Sequence, residues 1–353
     1  MIYRNVSLPI FSRIGEGLLN RLSEIIKEEN FYFKKVAVLT GNHGKDLVEY
    51  YDLKKHFYYM LIFNIRNIKN ISYIKSEIIS QRVELILSIG GGEVNDLSKY
   101  ISMETSIPLI SIPTTLSNDG ISSPISIIKL NGKSYNSIGT TPPIGIISDI
   151  KVLINSPKKF LLSGLGDLVS NLSAVLDWEL ADREVGEKID IFAKDISLNS
   201  VIRILYNFKS NKYKDVVQQE FLVDLFDGLV NSGISMIIAR SSRPASGAEH
   251  NISHALDRLG SKNLHGVQVG FATLFTLYLH EKYNLINDVL SLYKALKFPL
   301  SFRELNIEKD DFHNALKLAP YIRDRYTILN KFSTEELSKK FSSFLEEYIL
   351  CKK

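Results

Sequence analysis

The sequence has almost no cysteine: Cys351, near the C-terminus, is the only one among 353 residues. A single cysteine excludes an intramolecular disulfide and a thiolate metal cluster, and it is typical of proteins of the reducing cytoplasm. The N-terminus lacks a basic segment followed by an apolar core, so we predict no signal peptide. Because no apolar run approaches the roughly 20 residues of a membrane helix, we also predict no membrane span.

The chain also lacks a large excess of charge of either sign. The 43 basic and 39 acidic residues leave a net charge of +4, and no dense block of Lys and Arg occurs. This balance gives no support to nucleic-acid binding. Hydrophobic residues make up 45% and charged residues 23% of the chain, which is typical of globular proteins, and the length predicts two domains with sizeable cores.

Short apolar segments alternate with helical periodicity in the first half of the chain. Strands are predicted at residues 35–39, 57–65, 85–89, 108–112 and 144–149. Helices are predicted at 12–27, 45–51, 71–81 and 95–104, and a loop or hairpin at 131–143. Strands of about five residues that alternate with helices predict βαβ units and a parallel sheet.

After about residue 156 the strand pattern nearly disappears. Helices are predicted at 160–180, 187–208, 215–240, 247–259 and 265–282, and the helical periodicity continues beyond them. The change falls at Pro157, a residue that commonly ends an element. The sequence therefore predicts an α/β domain over residues 1–157 and an all-α domain over residues 158–353.

A glycine turn follows the third predicted strand, where Gly90, Gly91 and Gly92 precede a helix. Glycines let a ligand approach the backbone closely, and a helix N-terminus attracts phosphate groups. The spacing is not GxGxxG and the turn does not follow the first strand, so it is not the usual Rossmann fingerprint. The segment predicts either a pyrophosphate site or a helix cap without a ligand, and Asp96 could merely favour the helix dipole.

Hydroxyl, amide and carboxylate side chains crowd the loop at residues 113–120, after the fourth predicted strand. In open parallel sheets the ligand site lies at the carboxyl ends of the strands. Thr114, Thr115 and Ser117 could therefore bind ribose or phosphate, and Asp119 could bind a substrate hydroxyl. The alternative is an ordinary Asx or Ser/Thr turn, in which the same side chains bind only their own backbone.

Three of the seven histidines cluster, at His250, His254 and His265. A spacing of four places His250 and His254 on one face of a helix, which is a common chelating geometry. Asp167 follows Gly164 and Gly166 at the predicted start of a helix and could complete a zinc site of nitrogen and oxygen ligands. The alternative is that each histidine is an ordinary surface residue or a hydrogen-bonded core residue.

Five motifs follow one another along the chain. They are GGGxxxDxxKY at 90–100, PTTxSxDGxxSP at 113–124, GxGDLxSN at 164–171, SRPASGxEHxxSH at 242–254 and HGxQVG at 265–270. Together they resemble the iron-containing alcohol dehydrogenase and dehydroquinate synthase superfamily, and within it the sn-glycerol-1-phosphate dehydrogenases. The resemblance implies a dehydroquinate synthase-like fold: a nucleotide-binding α/β domain, a helical domain that binds metal and substrate, and a cleft between them.

The resemblance also implies a role for each matching residue. One divalent metal would be held by Asp167, His250 and His265, which replaces the chelate of His250 and His254 that helical spacing favours. Asp119 and His254 would then face the substrate as catalytic residues. The cofactor would be bound by the glycine turn and the loop that follows the next strand: Gly91, Gly92, Glu93, Val94, Asn95, Asp96, Thr114, Thr115, Ser117 and Ser123.

The implied reaction interconverts dihydroxyacetone phosphate and sn-glycerol 1-phosphate with NAD(H) or NADP(H). The metal is zinc by resemblance, with nickel or iron in some members. It would polarise the ketone, and water or His254 would supply the proton. Gly41 stands where many relatives have an aspartate that would clash with a 2′-phosphate, so NADP(H) is permitted. Arg243, Arg258 and Lys262 are candidates for holding the substrate phosphate.

Other interpretations fit parts of the sequence. A glycerol dehydrogenase-like polyol oxidoreductase would have the same metal ligands and an unphosphorylated substrate. A dehydroquinate-synthase-like cyclase would be expected to carry glutamate where Asp167 stands, and a cofactor-binding protein without turnover would be expected to have lost a metal ligand. We further expect a cytoplasmic homo-oligomer that acts on a small phosphorylated molecule.

Overall fold

The chain folds into two compact units, Met1–Pro157 and Lys158–Lys353. The computed structural model describes residues 6–67, 71–130 and 134–350. Every strand of these residues lies in the N-terminal unit, whereas the described part of the C-terminal unit contains helices, turns and connecting loops. Two units are expected for this length, because a single hydrophobic core stops growing beyond about 250–300 residues.

The N-terminal unit is built on a six-stranded sheet in which all neighbouring strands are parallel, in the order β1-β8-β5-β4-β2-β3. A separate antiparallel hairpin is formed by β6 and β7. The predicted α/β architecture with a parallel sheet is therefore confirmed. The strands are β1 Phe11–Gly15, β2 Lys35–Thr40, β3 Tyr59–Asn64, β4 Leu85–Gly90, β5 Leu109–Pro113, β6 Ile125–Leu130, β7 Ser134–Gly139 and β8 Gly145–Asp149.

Apolar side chains cover both faces of the sheet. Successive residues of a strand point to opposite faces, so Val36 and Val38 of β2 pack into one buried cluster and Ala37 and Leu39 into the other. Burial on both faces explains why these strands read as continuous apolar runs. The helices of this unit are α1 Leu22–Glu28, α2 Asn42–Tyr50, α3 Ile71–Ser80, α4 Gly92–Thr105 and α5 Ile150–Ile154.

The predicted helix at residues 12–27 is wrong in its first part, where β1 forms an edge strand. The ring of Phe11 packs so closely on Gly145 of β8 that an added Cβ at the glycine would lie 2.2 Å from the ring. Gly17 then turns the chain with a φ of +70°, and a helix follows. The cause is pairing with a strand about 130 residues away, which local periodicity does not report.

The hairpin was predicted as one of two alternatives at residues 131–143, and it begins earlier, at Ile125. Residues 131–133 of that segment lie outside the described part of the chain. Lys99 of α4, a fully buried side chain, donates to the backbone oxygen of Ile125 at 2.5 Å. The carboxylate of Asp96 accepts the backbone N–H of Ile127 at 3.1 Å. The hairpin is thus tied to the helix that follows the glycine turn.

Helices α6 to α14 form the C-terminal unit. The predicted helix at residues 160–180 is two helices that meet at Ser170. Asp167 therefore lies in the last turn of the first helix, and its predicted place at the start of a helix is wrong. The helices are α6 Lys158–Val169, α7 Asn171–Val185, α8 Ile191–Lys209, α9 Gln219–Ala239, α10 Ala248–Arg258, α11 His265–Leu279, α12 Tyr283–Leu296, α13 Lys309–Leu318 and α14 Thr334–Phe344.

The core of this unit contains a cluster of phenylalanine rings from α11, α13 and α14. Phe271, Phe275, Phe312, Phe341 and Phe344 are buried, and their ring centroids lie 4.3–6.5 Å apart in the contacting pairs. Two segments, Lys158–Val185 and Gln219–Ala239, are long and apolar enough to cross a membrane. In their most apolar windows 83% and 78% of the residues are buried inside the protein, as is usual for core helices.

Candidate functional site

The glycine turn in the N-terminal unit connects β4 to α4 and packs against the loop that follows β5. An added Cβ at Gly91 would lie 3.3 Å from Thr115 Cγ2, and one at Gly92 would lie 3.2 Å from Asn118 Nδ2. The backbone N–H of Thr114 donates to the oxygen of Gly90 at 3.0 Å. Because β4 and β5 are neighbours, the two polar segments predicted from the sequence lie side by side at the carboxyl edge of the sheet.

The side chains of Asn95 and Val94 pack under the glycine turn and hold it against the sheet. Asn95 is buried, and its Oδ1 accepts from Ser88 Oγ of β4 at 2.5 Å and from Ser111 Oγ of β5 at 3.2 Å. Val94 is buried as well and lies against Gly90, where an added Cβ would be 2.5 Å from the valine side chain. Since these two side chains face the sheet, their backbone is the part that a ligand at the turn could contact.

Two other predicted cofactor residues belong to one hydrogen-bond network around Lys99. The ammonium group of Lys99 lies 3.1 Å from a carboxylate oxygen of Asp96 and 3.2 Å from the backbone oxygen of Ser123. The hydroxyl of Ser123 donates to the oxygen of Ile125 at 3.3 Å. This network holds the hairpin and the loop in position beside the turn. The carboxylate of Glu93, in contrast, is exposed, as is its salt-bridge partner Arg66.

The hydroxyl of Thr115 lies beside the turn, and its lack of a hydrogen-bond partner in the described residues indicates that a ligand could bind there. Its Oγ1 is buried and has no hydrogen-bond partner among the described residues. Leaving a buried hydroxyl unpaired costs about 1–3 kcal/mol. The helix N-terminus at Gly92 and this hydroxyl together offer donors to an anionic group, such as the pyrophosphate of a dinucleotide. Asp119 begins a short 3₁₀ helix at the end of the same loop and is half-buried.

The second candidate site lies in the C-terminal unit, where the backbones of α6 and α11 are in close contact. An added Cβ at Gly166 would lie 2.1 Å from the oxygen of Gly266, and one at Gly266 would lie 1.9 Å from the oxygen of Ser163. The glycines of the GxGD and HGxQVG motifs therefore allow two helix backbones to touch. This contact brings Asp167 of α6 next to His265 of α11.

Asp167, His250 and His265 form a group with the spacing of metal ligands. Asp167 Oδ1 lies 3.6 Å from Nε2 of His250 and 3.9 Å from Nε2 of His265. One donor atom from each residue lies within 4.8 Å of the other two. Asp167 and His250 are buried, whereas His265 is partly exposed. Two imidazole nitrogens and one carboxylate oxygen are a donor set that suits zinc and other divalent transition metals.

Hydrogen bonds select the ring nitrogen that each histidine presents to the group. Nδ1 of His250 lies 3.0 Å from a carboxylate oxygen of Glu249, so Nδ1 carries the hydrogen. Nδ1 of His265 lies 3.1 Å from Ser253 Oγ, whose own hydrogen is donated to Gln268 Oε1 at 2.7 Å. The serine oxygen must then accept from the imidazole. Both rings consequently turn Nε2 toward Asp167, and this nitrogen could bind a metal once it carries no hydrogen.

The two histidines differ in their electrostatic environments. Burial lowers the pKa of His250, but hydrogen bonds to Asp167 and Glu249 outweigh burial and raise the pKa to about 9. Burial and the neighbouring charge of His250 lower the pKa of His265 to about 4. Without a metal the group therefore holds one proton at neutral pH, and a bound metal would take the place of that proton.

The structure does not favour the chelate of His250 and His254 that helical spacing suggests. The ring centroids of these two residues lie 6.4 Å apart. Nε2 of His254 contacts the guanidinium of Arg323, a group that can only donate, so Nε2 accepts a hydrogen bond there. His254, Asp257 and His265 also have donor atoms within 4.8 Å of one another, but this arrangement would require His254 to give up Arg323.

Arg243, which the sequence suggested as a phosphate ligand, has a structural role instead. Its side chain is almost fully buried; Nε donates to Glu187 Oε1 at 2.7 Å and Nη1 donates to the oxygen of Tyr326 at 2.7 Å. The prediction was wrong because a motif does not show which way its arginine points. Arg258 and Lys262 are exposed.

Arg323 and Arg325 lie near the histidines, and sequence reasoning missed them. Arg323 Nη1 donates to Ser246 Oγ at 2.7 Å, and Arg325 Nη1 donates to the backbone oxygen of Ser246 at 2.5 Å. Both side chains are half-buried. The only sequence signal is a pair of arginines two residues apart, more than 50 residues from the nearest motif.

A buried carboxylate, Asp177, fixes the elements around the histidines and was also missed. It accepts the backbone N–H of Ala248 at the start of α10 at 2.6 Å, the backbone N–H of Ile328 at 2.7 Å and Nε2 of His280 at 2.9 Å. Asp177 thereby joins α7, the N-terminus of α10 and the segment that follows Arg325. The contacting residues are far apart in the sequence, so no local pattern predicts these hydrogen bonds.

Comparisons with known proteins first define the class. A family described as iron-containing alcohol dehydrogenase matches residues 13–157. Glycerol dehydrogenase from Schizosaccharomyces pombe is similar in structure with a TM-score of 0.77 and 19% identity, covering 99% of this chain and 94% of that chain. Iron-containing alcohol dehydrogenase from Thermococcus thioreducens gives a TM-score of 0.71 and 18% identity, covering 97% and 100%. The fold is that of the iron-containing alcohol dehydrogenases.

Sequence relatives define the family within this class. A glycerol-1-phosphate dehydrogenase (NAD(P)+) from Thermococcus sibiricus is 36% identical over 352 residues, which cover 96% of this chain and 97% of the relative. One from Methanococcus vannielii is 36% identical over 351 residues, which cover 95% and 97%. The chain belongs to the glycerol-1-phosphate dehydrogenase family, and the resemblance inferred from the five motifs is confirmed.

Proposed function

We propose that the chain is a metal-dependent, NAD(P)-linked oxidoreductase that interconverts dihydroxyacetone phosphate and sn-glycerol 1-phosphate. The observation that carries the proposal is the group of Asp167, His250 and His265, whose donor atoms lie within 4.8 Å of one another. Their hydrogen bonds turn Nε2 of both imidazoles toward the carboxylate, in a chain that belongs to a family of dehydrogenases. An Asp at the first ligand position also argues against a cyclase of the dehydroquinate synthase type.

The N-terminal unit is proposed to bind the nicotinamide cofactor. The first turn of α4, at Gly92, would hold the pyrophosphate through backbone N–H groups, and the buried hydroxyl of Thr115 would donate or accept one further hydrogen bond. The network around Lys99 would keep the turn rigid, which lowers the cost of ordering it on binding. An added Cβ at Gly41 meets nothing within 4 Å, so the end of β2 leaves room for a 2′-phosphate.

The C-terminal unit is proposed to hold the reacting end of the substrate. When bound, the cofactor supplies the hydride and the metal supplies positive charge at the ketone oxygen. Asp167 and the two Nε2 atoms would hold the metal, and Glu249 and Ser253 would hold the histidine rings in the required tautomers. We propose zinc as the metal, because the donor set is the one common in catalytic zinc sites.

His254 is proposed to orient groups at the site, and not to act as the acid. Burial and the charge of Arg323 lower the pKa of His254 well below its usual range, and Nε2 already accepts from Arg323. The ring is therefore neutral, with its hydrogen on Nδ1 available to donate to a substrate oxygen. The proton that completes the product hydroxyl would come from water, one of the two sources that the resemblance allowed. Asp119 is proposed to bind a substrate hydroxyl.

The test follows NAD(P)H absorbance with dihydroxyacetone phosphate, dihydroxyacetone and glycerol in parallel, and measures bound metal in the same sample. We expect turnover of dihydroxyacetone phosphate, formation of sn-glycerol 1-phosphate, and about one divalent metal per chain. Turnover of only the unphosphorylated compounds would show that the protein is a polyol dehydrogenase. Full activity after complete removal of metal would refute the metal-dependent mechanism.

We also propose that the protein is a homo-oligomer of the cytoplasm. Ile191, Ile202 and Tyr206 of α8 are 68%, 51% and 68% exposed, and their spacing places them along one face of the helix. Exposed apolar stripes of this kind are typical of subunit interfaces. Light scattering coupled to gel filtration would give the mass, and a monomer at micromolar concentration would contradict the proposal.

A further inference from the structure

Two guanidinium groups lie half-buried against the loop that precedes α10. Arg323 donates to Ser246 Oγ at 2.7 Å and to Nε2 of His254. Arg325 donates to the backbone oxygen of Ser246 at 2.5 Å and to Ser242 Oγ at 2.8 Å. These contacts fix both groups against the loop and helix that carry the metal-ligand histidine.

The partners of these two arginines are all neutral. Among the described residues, no carboxylate lies within 4.0 Å of either guanidinium. Arg243 is the contrasting case in the same region, because its buried guanidinium has a carboxylate partner in Glu187. Glu187 and Glu249 are near enough to act on the two charges electrostatically, but neither contacts them. Two partly buried positive charges without a contacting counter-charge are costly to the folded protein. A bound anion would offset that cost.

The pKa values of the pair reflect the same situation. Burial lowers the pKa of Arg323. Burial and the nearby charge of Arg323 lower the pKa of Arg325 to about 10. Both groups remain protonated at neutral pH, so the local positive charge is permanent. Each guanidinium has about five N–H donors, and the bonds described above use only the terminal nitrogens.

Arg323 and the metal-ligand group are both neighbours of His254. The ring of His254 lies between the two groups: its centroid is 5.6 Å from that of His265, and its Nε2 contacts Arg323. In dihydroxyacetone phosphate the ketone carbon and the phosphate are separated by one carbon and one oxygen. A ketone oxygen placed at the metal ligands would therefore leave the phosphate on the guanidinium side of His254.

We infer that Arg323 and Arg325 bind the phosphate monoester of the substrate and so determine the preference for a phosphorylated over a free triose. The inference rests on the proposed function and adds to it the residues that set the substrate class. Arginine suits this role because its planar fork forms paired hydrogen bonds with phosphate oxygens. Arg325 would serve only to bind phosphate, whereas Arg323 also positions His254.

The test compares kcat/KM for dihydroxyacetone phosphate and for dihydroxyacetone in the metal-loaded enzyme. For Arg325→Gln we expect a loss of about 10- to 100-fold with the phosphorylated substrate, mainly through KM, and less than about a twofold change with dihydroxyacetone. For Arg323→Gln we expect the same loss of preference together with a lower kcat for both substrates. Arg303→Gln, an exposed arginine of the same unit, is the matched control and should behave as wild type.

A binding measurement separates phosphate recognition from catalysis. Calorimetric titration of inorganic phosphate into the metal-loaded protein should show binding to wild type and to Arg303→Gln, and at least tenfold weaker binding to Arg325→Gln. Arg325→Lys keeps the charge but loses the fork, so it should fall between wild type and Arg325→Gln. This variant also serves if Arg325→Gln proves poorly folded by circular dichroism.

Three results have different meanings. If the arginine variants keep the wild-type preference and phosphate affinity, the inference is wrong and the proposed function stands. If Arg258→Gln or Lys262→Gln removes the preference while Arg325→Gln does not, the exposed residues hold the phosphate and the inference is again wrong. If wild type itself shows no preference for the phosphorylated triose, the proposed function fails first.

Discussion

The two candidate sites of this protein are built in opposite ways. The site proposed for the cofactor, the glycine turn with the loop after β5, comes from one stretch of the chain, residues 90–123, and offers backbone N–H groups at the edge of a parallel sheet. The metal-ligand group takes Asp167, His250 and His265 from three helices and offers only side-chain atoms. The turn depends on residues without side chains, whereas the metal group depends on hydrogen bonds that orient side chains.

Because of this difference, different kinds of substitution should damage each site. A site built from backbone groups is damaged when an added Cβ occupies the space of the ligand. It tolerates many other changes of side chain, because the N–H groups of a helix N-terminus are present whatever the sequence. A side-chain site loses its function with one ligand and is weakened by the loss of the groups that orient the ligands. Four sets of variants, which differ in the size of the change they should cause, test this contrast.

The largest effect is expected from Asp167→Asn or His250→Ala. Either change removes a ligand of the proposed metal, and with it several kcal/mol of transition-state stabilisation, so kcat/KM should fall by about a thousandfold or more. Metal analysis should show a parallel loss of bound metal, while circular dichroism should show an unchanged fold. His313→Ala, a histidine of the same unit outside the group, is the control. Retention of both metal and activity by either ligand variant would remove the basis for a side-chain metal site.

Glu249→Gln should have the next largest effect. Glu249 is fully buried; it accepts from Nδ1 of His250, and Ser173 Oγ donates to it at 2.7 Å. Removing its charge weakens the orientation and basicity of the ligand, so metal affinity should fall by about 10- to 100-fold. Ser173→Ala removes one hydrogen bond to the same carboxylate and should cost less than Glu249→Gln. Competition with a chelator measures both affinities, and equal affinities in wild type and Glu249→Gln would mean that Glu249 does not support the site.

Gly92→Ala should damage the other site alone. The new Cβ would lie 3.2 Å from Asn118 Nδ2, so the loop must shift at the place proposed for the pyrophosphate. We expect the dissociation constant of NAD(P)H, measured by fluorescence, to rise about tenfold, equivalent to about 1.4 kcal/mol. Metal content should not change. Gly139→Ala, where the added Cβ meets nothing within 4 Å, is the control. A loss of metal in Gly92→Ala would show that the two sites are not independent.

The smallest effect is expected from Glu187→Gln, which removes the counter-charge of Arg243. Glu187 is partly exposed, so the loss of stability at pH 7 should be about 1 kcal/mol after allowance for solvent screening. The hydrogen bond and charge of Arg243 lower the pKa of Glu187. A lowered pKa means that the pair stabilises the fold above about pH 4.3 and that this contribution is lost as the pH falls further. Urea unfolding should therefore separate wild type from variant at pH 7, and the difference should shrink as the pH falls below about 4.3; a difference that does not change with pH would contradict this account.

Much of the fold and half of the site could be predicted from local patterns. The strands at β2, β4, β5 and β8 are short apolar runs bounded by turn residues, and the glycine turn lies directly at the end of one of them. Periodicity also distinguished the helical C-terminal unit. Where the prediction failed, at β1, the segment pairs with β8 about 130 residues away and the ring of Phe11 fills the space above Gly145.

The α/β and helical halves, the glycine turn and the family could be inferred from the sequence, because hydrophobic periodicity and motif spacing are properties of neighbouring residues. Tertiary structure decided the rest. The contact of Gly166 with Gly266 brings Asp167 to His265, and a hydrogen bond from Ser253 of α10 selects the nitrogen that His265 turns toward Asp167. The tertiary structure also pairs Arg243 with Glu187, whereas Arg323 has no carboxylate among its contacts in the described residues. Such choices depend on distances between residues far apart in the chain, which no local pattern contains.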